Sequence, residues 1–93
     1  MKIINMQRLN PGSDNLTKAI FDIDFGVMVI PDFKLMSDKK GGLWVVVPRS
    51  RSGREGAIRV KDHEFLDVIT YAAREVYAGR EKQGINYELR RKG

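Results

Sequence analysis

The stretch from Val27 to Arg54, VMVIPDFKLMSDKKGGLWVVVPRSRSGR, constrains this chain more than any other. Val27 to Met36 is rich in β-branched and apolar residues, Ser37-Asp38-Lys39-Lys40-Gly41-Gly42 supplies turn chemistry, and Leu43-Trp44-Val45-Val46-Val47 reads as a second strand. A chain with this pattern builds a sheet. Pro48 cannot donate to a ladder, and Arg49-Ser50-Arg51-Ser52-Gly53-Arg54 is polar and strongly basic, so the chain is expected to leave the sheet there as a mobile cationic arm. Binding groups sit disproportionately on loops held by such scaffolds.

Ahead of this stretch, Ile3 to Leu9 is a short apolar segment with weak alternation, closed by the turn residues Asn10-Pro11-Gly12-Ser13-Asp14-Asn15. The cleanest strand follows. Ala19, Phe21, Ile23 and Phe25 fall on one face, and Lys18, Asp22 and Asp24 share the other with Ile20. Gly26 interrupts two strand-like runs, so Lys18 to Phe25 is expected to pair antiparallel with Val27 to Met36 through a tight turn. Pro31 removes one ladder donor, which marks either an edge strand or a bulge. Ala57-Ile58-Arg59-Val60 is long enough for a short fifth strand that would carry Arg59 back toward the sheet.

From Asp62 the periodicity changes from two to 3.6. Phe65, Ile69, Ala72 and Val76 form a stripe widened by Leu66, Val68 and Ala73, which predicts an amphipathic helix. Asp62 suits its N-cap, Glu64 its first turn, and Gly79 its C-terminal stop. The expected fold class is α+β, a small antiparallel sheet of about five strands with one C-terminal amphipathic helix and a basic tail. Residues 1–79 are expected to form the single domain, and residues 80–93, polar and basic with little periodicity, a flexible extension not needed for folding.

With 93 residues the core is modest, which favours pairing with a second copy. There is no cysteine, so disulfides, thiolate metal sites and a cysteine nucleophile are excluded. No apolar run has the length of a signal or a membrane span, and the expected location is the cytoplasm. The net charge of +5 is unevenly placed. Arg49 to Lys61 holds Arg49, Arg51, Arg54, Arg59 and Lys61 against Glu55 alone, whereas Asp62 to Ala78 holds four acids and only Arg74. Clustered arginines on a basic chain are the electrostatic footprint of a polyanion partner, weighed here against a surface charged merely for solubility.

Catalytic constellations are scarce. Asp22 and Asp24 share a strand face, which suggests a carboxylate pair for hydrolysis, but a half-exposed strand places charges this way routinely and no third ligand is specified. His63 is the only histidine and abuts the helix start. Lys39-Lys40-Gly41-Gly42 and Ser52-Gly53-Arg54-Glu55-Gly56 lack the spacing of a phosphate-binding loop and read as turns. Trp44 either presents a stacking surface for bases or, as strand tryptophans more often do, fills the core. No enzyme, metal, cofactor or small-molecule substrate is expected.

The order of these features resembles the stage V sporulation protein G family (SpoVG, the septation regulators). The residues that carry the resemblance are Ala19, the strand Val29-Ile30-Pro31-Asp32-Phe33-Lys34-Leu35-Met36, the run Gly42-Leu43-Trp44-Val45-Val46-Val47-Pro48, then Arg49-Ser50-Arg51, Gly56 and Arg59, with Tyr77 near the helix end. The resemblance implies a small homodimeric regulator that binds DNA, and in some members RNA, without catalysis. The residues expected to meet nucleic acid are Arg49, Arg51, Arg54, Arg59 and Lys61. From a different class, the alternative is a protein-interaction module that uses its edge strand and helix.

Overall fold

The central strand sets the layers. In the computed structural model, which describes residues 1–9, 16–48 and 58–87, Ala19, Phe21 and Ile23 of β2 (Thr17–Asp24) are fully buried while the residues between them are half-exposed. β2 lies between β1 (Lys2–Arg8) and β3 (Val29–Ser37), and β4 (Leu43–Val46) follows outside β3. The sheet has four strands in the order β1-β2-β3-β4, all neighbours antiparallel. Helix α1 (His63–Tyr77) covers its inner face, so the molecule is an α+β domain of two layers. Ile69, Ala72, Ala73 and Val76 of α1 are buried against Ile3, Phe21, Phe33, Leu35 and Val45. The two alanines let the helix approach the sheet closely, and Phe21 stacks on Phe33, its cross-strand partner, at 5.7 Å between ring centroids.

The fifth strand expected at 57–60 is not present over its described part. Ile58 and Val60 are half-buried and Arg59 and Lys61 exposed, yet Ile58 to Lys61 joins no ladder. The alternation is real but has another cause: the apolar residues line a groove with Phe25, Phe33 and Phe65. Ala57 lies outside the described residues.

Pro31 is not on an edge, because β3 is an inner strand. The bulge alternative holds. Phe21 opposes Phe33 and Ile23 opposes Ile30, so Pro31 and Asp32 together face Asp22. A second bulge sits across β2, where Ile4 opposes Asp22 and Gln7 opposes Ile20, leaving Asn5 and Met6 against Phe21. Asp32 (φ 69°) and Asn5 (φ 53°) take left-handed backbone, which Asp and Asn tolerate better than other side chains. One carboxylate serves both bulges: Asp22 Oδ2 accepts from Asn5 Nδ2 at 2.9 Å, and Asp22 Oδ1 accepts from the Asp32 amide at 3.3 Å.

Turn and cap chemistry accounts for the connections. Phe25 N donates to Met28 O across the β2–β3 turn, and Asp24 Oδ1 accepts from Gly26 N at 2.7 Å. In the β3–β4 loop Asp38 Oδ1 accepts from both Lys40 N and Gly42 N. Asp62 caps α1 by accepting from Glu64 N at 3.0 Å. At the other end Gly79 N donates to Val76 O and Arg80 N to Glu75 O, with Gly79 at φ 76°: a Schellman ending of the kind a glycine at this position specifies.

Residues 80–87 differ from the expected loose extension. Gly84 N donates to Ile3 O, Tyr87 N to Met1 O, and Gln83 Oε1 accepts from Met6 N, so this segment lies along the outer edge of β1. Tyr87 packs on the core and meets Tyr71 edge to face at 6.4 Å. The reason is backbone pairing, which leaves no mark in apolar periodicity. The folding unit therefore extends past 79 to at least 87; residues 88–93 lie outside the described residues.

Two predictions test this frame. Asp22→Ala, which frees both bulges, is expected to cost about 1 to 3 kcal/mol, a fall in Tm of roughly 5 to 20 °C for a domain of this size; a Tm within about 2 °C of the parent would show that the bulges hold themselves. The second concerns Tyr87, whose hydroxyl is buried without a hydrogen-bond partner among the described residues. Burial first, then the charge of Glu81, holds its pKa above the ordinary tyrosine value. The folded state thus favours the neutral phenol, and that stability is complete below about pH 10 and lost as pH rises through the raised folded value. Tyr87→Phe should leave neutral-pH stability unchanged or raise it by up to about 1 kcal/mol, and thermal melts should show a shallower alkaline decline than in the parent. An equal or steeper decline would count against it.

Candidate nucleic-acid interface

The sheet has two faces, and α1 occupies one of them. On the other, cross-strand pairing aligns side chains in rows, since directly opposed residues point to the same side. Gln7, Ile20, Lys34 and Val46 form one row through all four strands, and Thr17, Met36 and Trp44 form the next. Leu35 and Val45, opposed between these rows, are buried on the helix side, which fixes the outward direction of their neighbours. The outer rows border an open groove of about 550 Å³ that includes Ile20, Lys34, Met36, Val46 and Pro48.

Trp44 belongs to this outer face and is 40% exposed. The core placement weighed for it is therefore wrong. Four consecutive apolar residues, Leu43 to Val46, carry no parity signal that assigns the indole to one face. Val45 takes the inner position and Trp44 is left outside.

The expected contact residues divide into two groups. Arg49, Arg51 and Arg54 lie outside the described residues. Arg59 and Lys61 are exposed and flank Val60 at the entrance to α1, on the rim of a groove of about 400 Å³ whose floor includes Phe25, Ile30 and Phe65. Phe25 and Phe65 stack there at 5.9 Å. The basic stretch is thus bracketed by two half-buried residues, Pro48 at the outer-face groove and Ile58 at the helix-side groove.

The carboxylates considered for catalysis have structural occupations. Asp22 holds the paired bulges and Asp24 holds the β2–β3 turn. His63 is the exposed first residue of α1. Among the described residues no three His, Asp or Glu side chains converge as a metal site would require. Lys39 to Gly42 is the β3–β4 turn built on Asp38.

Charge also separates by element. From Asp62 to Ala78 the chain carries Asp62, Glu64, Asp67 and Glu75 against Arg74, a net −3. Phosphates along a duplex would be repelled by this helix. Arg8, in contrast, spends its charge internally: its guanidinium donates to Tyr77 O at the helix C-terminus and lies 4.7 Å from the Tyr77 ring centroid. The outward row around Lys34 was not anticipated from sequence, and of the two placements weighed for Trp44 the less favoured, outward one is found; the regular β3–β4 register puts both on the same face.

No family model matches this chain, and no curated protein or solved structure matches it either.

Proposed function

We propose that this protein is a non-catalytic, nucleic-acid-binding regulator of the stage V sporulation protein G type, acting in the cytoplasm as a homodimer. It contacts phosphates of DNA, and of RNA, through Arg49, Arg51 and Arg54, with Arg59 and Lys61 as flanking charge. The observation that carries this reading is the separation of charge: cations gather in one stretch bracketed by packed residues, while the helix on the other side of that bracket is acidic. A solubility surface would intersperse the two signs. No helix among the described residues is long and apolar enough to cross a membrane.

The edges of the sheet support the dimer. Residues 84–87 cover the outer edge of β1, whereas among the described residues no strand pairs with the outer edge of β4. An open edge is a template for another chain, and a second copy paired through β4 closes it on both sides of a twofold axis. A protein-interaction module is the second reading, favoured by the apolar tip of the β2–β3 turn, where Val27 is 88%, Met28 56% and Val29 51% exposed.

Replacing Arg49, Arg51 and Arg54 together by alanine is expected to lower the slope of log affinity against log salt by about 2.7 on duplex DNA, at roughly 0.9 per phosphate contact. Anisotropy titrations at several salt concentrations measure it, with Arg90, Arg91 and Lys92 replaced as the charge-matched control. An unchanged slope in the loop variant and a reduced one in the control would move the interface to the C-terminal residues. Absence of nucleic-acid binding in the parent, with capture of an acidic protein after nuclease treatment, would favour the second reading. For the dimer, light scattering should give twice the 10.6 kDa chain mass at micromolar concentration; a monomer mass overturns it.

A further inference from the structure

Resting on that reading, we infer that the outer sheet face binds unpaired nucleotides, with Trp44 as the base-stacking platform, so that the preferred ligand is single-stranded rather than duplex. Trp44 is 40% exposed and its direct cross-strand neighbour on the same face is Met36. An exposed indole with a methionine as its cross-strand neighbour offers a flat apolar surface, and stacking on it needs a base whose own face is free. Bases in a duplex have no free face.

The chemistry around Trp44 selects the occupant. Lys34 stands in the next row between Ile20 and Val46, and it makes no ion pair among the described residues. A protein surface laid over this face would bury that ammonium beside apolar side chains, which is costly without a partner charge. A nucleic-acid strand brings phosphates to it and bases to the indole. β4 ends at Val46, two residues beyond Trp44, and in the sequence the arginine-bearing stretch begins directly after Pro48. Of the acids near this face, Asp22 is held by Asn5 and the Asp32 amide, Asp24 opposes Val29 at the end of β3 away from Met36 and Trp44, and Asp32 lines the groove at its bulge end, on the far side of Lys34 from Trp44.

Trp44 is the only tryptophan, so its emission reports this face alone. The experiment titrates the full chain with short oligothymidylate, with a blunt duplex of mixed sequence, and with inorganic polyphosphate, which has charge and no bases. Oligothymidylate should quench the emission and bind more tightly than the duplex, and polyphosphate should bind without quenching. Trp44→Ala should weaken oligothymidylate binding by between about 5- and 150-fold while duplex binding changes less than about 2-fold, and Trp44→Phe should retain most of the affinity. Thermal melts of both variants check folding, and quenching of the parent stands as a readout if Trp44→Ala does not fold. Oligothymidylate binding without quenching, or with unchanged affinity in Trp44→Ala, overturns this inference and leaves the phosphate-binding loop intact. Emission shielded from acrylamide in the dimer and indifferent to oligothymidylate would instead assign the face to a second copy. Failure of all three ligands to bind removes the functional reading itself.

Discussion

Two bulges placed side by side keep this sheet in phase, and the Asp22 carboxylate holds them both. In a regular strand, residues an odd number apart point to opposite faces. Yet Ile30 and Phe33 in β3 both turn toward the core, as do Ile3 and Met6 in β1. Each pair is three residues apart, and each is reconciled by the extra residue at Asp32 or Asn5. The same correction brings Arg8 opposite Ala19, on the helix side, where it reaches the Tyr77 carbonyl. A single acceptor on the middle strand thereby aligns the inner faces of both neighbours and docks the end of β1 onto the helix terminus.

This arrangement explains what could be seen in the sequence and what could not. β2 is regular through its middle, and its alternation of Ala19, Phe21 and Ile23 is legible because nothing interrupts it. The helix was equally legible: its stripe, the Asp62 cap and the Gly79 ending are local features, and each appears where local chemistry puts it. β1 looks weakly alternating because its bulge switches parity midway. Pro31 signalled an irregularity, but only the register could choose between an edge and a bulge. Ile58 and Val60 alternate as a strand does, though their partners are the side chains of a groove. The segment at 83–87 docks chiefly by backbone hydrogen bonds, to which hydrophobic periodicity is blind. For the candidate interface, the charge of the basic stretch was legible, whereas the choice between an outward and a core Trp44 was not, since it sits in an unbroken apolar run.

The two layers divide the tasks. Burying one face of the sheet under α1 consumes Ala19, Phe21 and Ile23 of β2 and leaves the opposite face with mixed chemistry: Ile20, Met36, Trp44 and Val46 beside Lys34. Among the described residues, acidic side chains on the helix carry a net negative charge, whereas Asp22, Asp24 and Asp38 on the sheet are engaged in the bulges and the two turns. The proposed ligand surface thus borrows its rigidity from a core it does not disturb, and changes there are separable from changes in stability.

The clasp over β1 has a consequence for the order of events during synthesis. Its hydrogen bonds join Met1 to Tyr87 and Ile3 to Gly84, nearly the greatest sequence separation this domain permits. At ribosomal rates the first strand waits roughly 4 to 17 seconds before residue 87 has been added. Throughout that interval β1 has an open edge, while β2 and β3, joined by a short turn, can already pair. A nascent chain of this kind is most exposed to strand exchange with its neighbours on the same message just before residue 87 is added. Polysome spacing thus joins temperature and salt among the conditions that decide how much of it folds correctly.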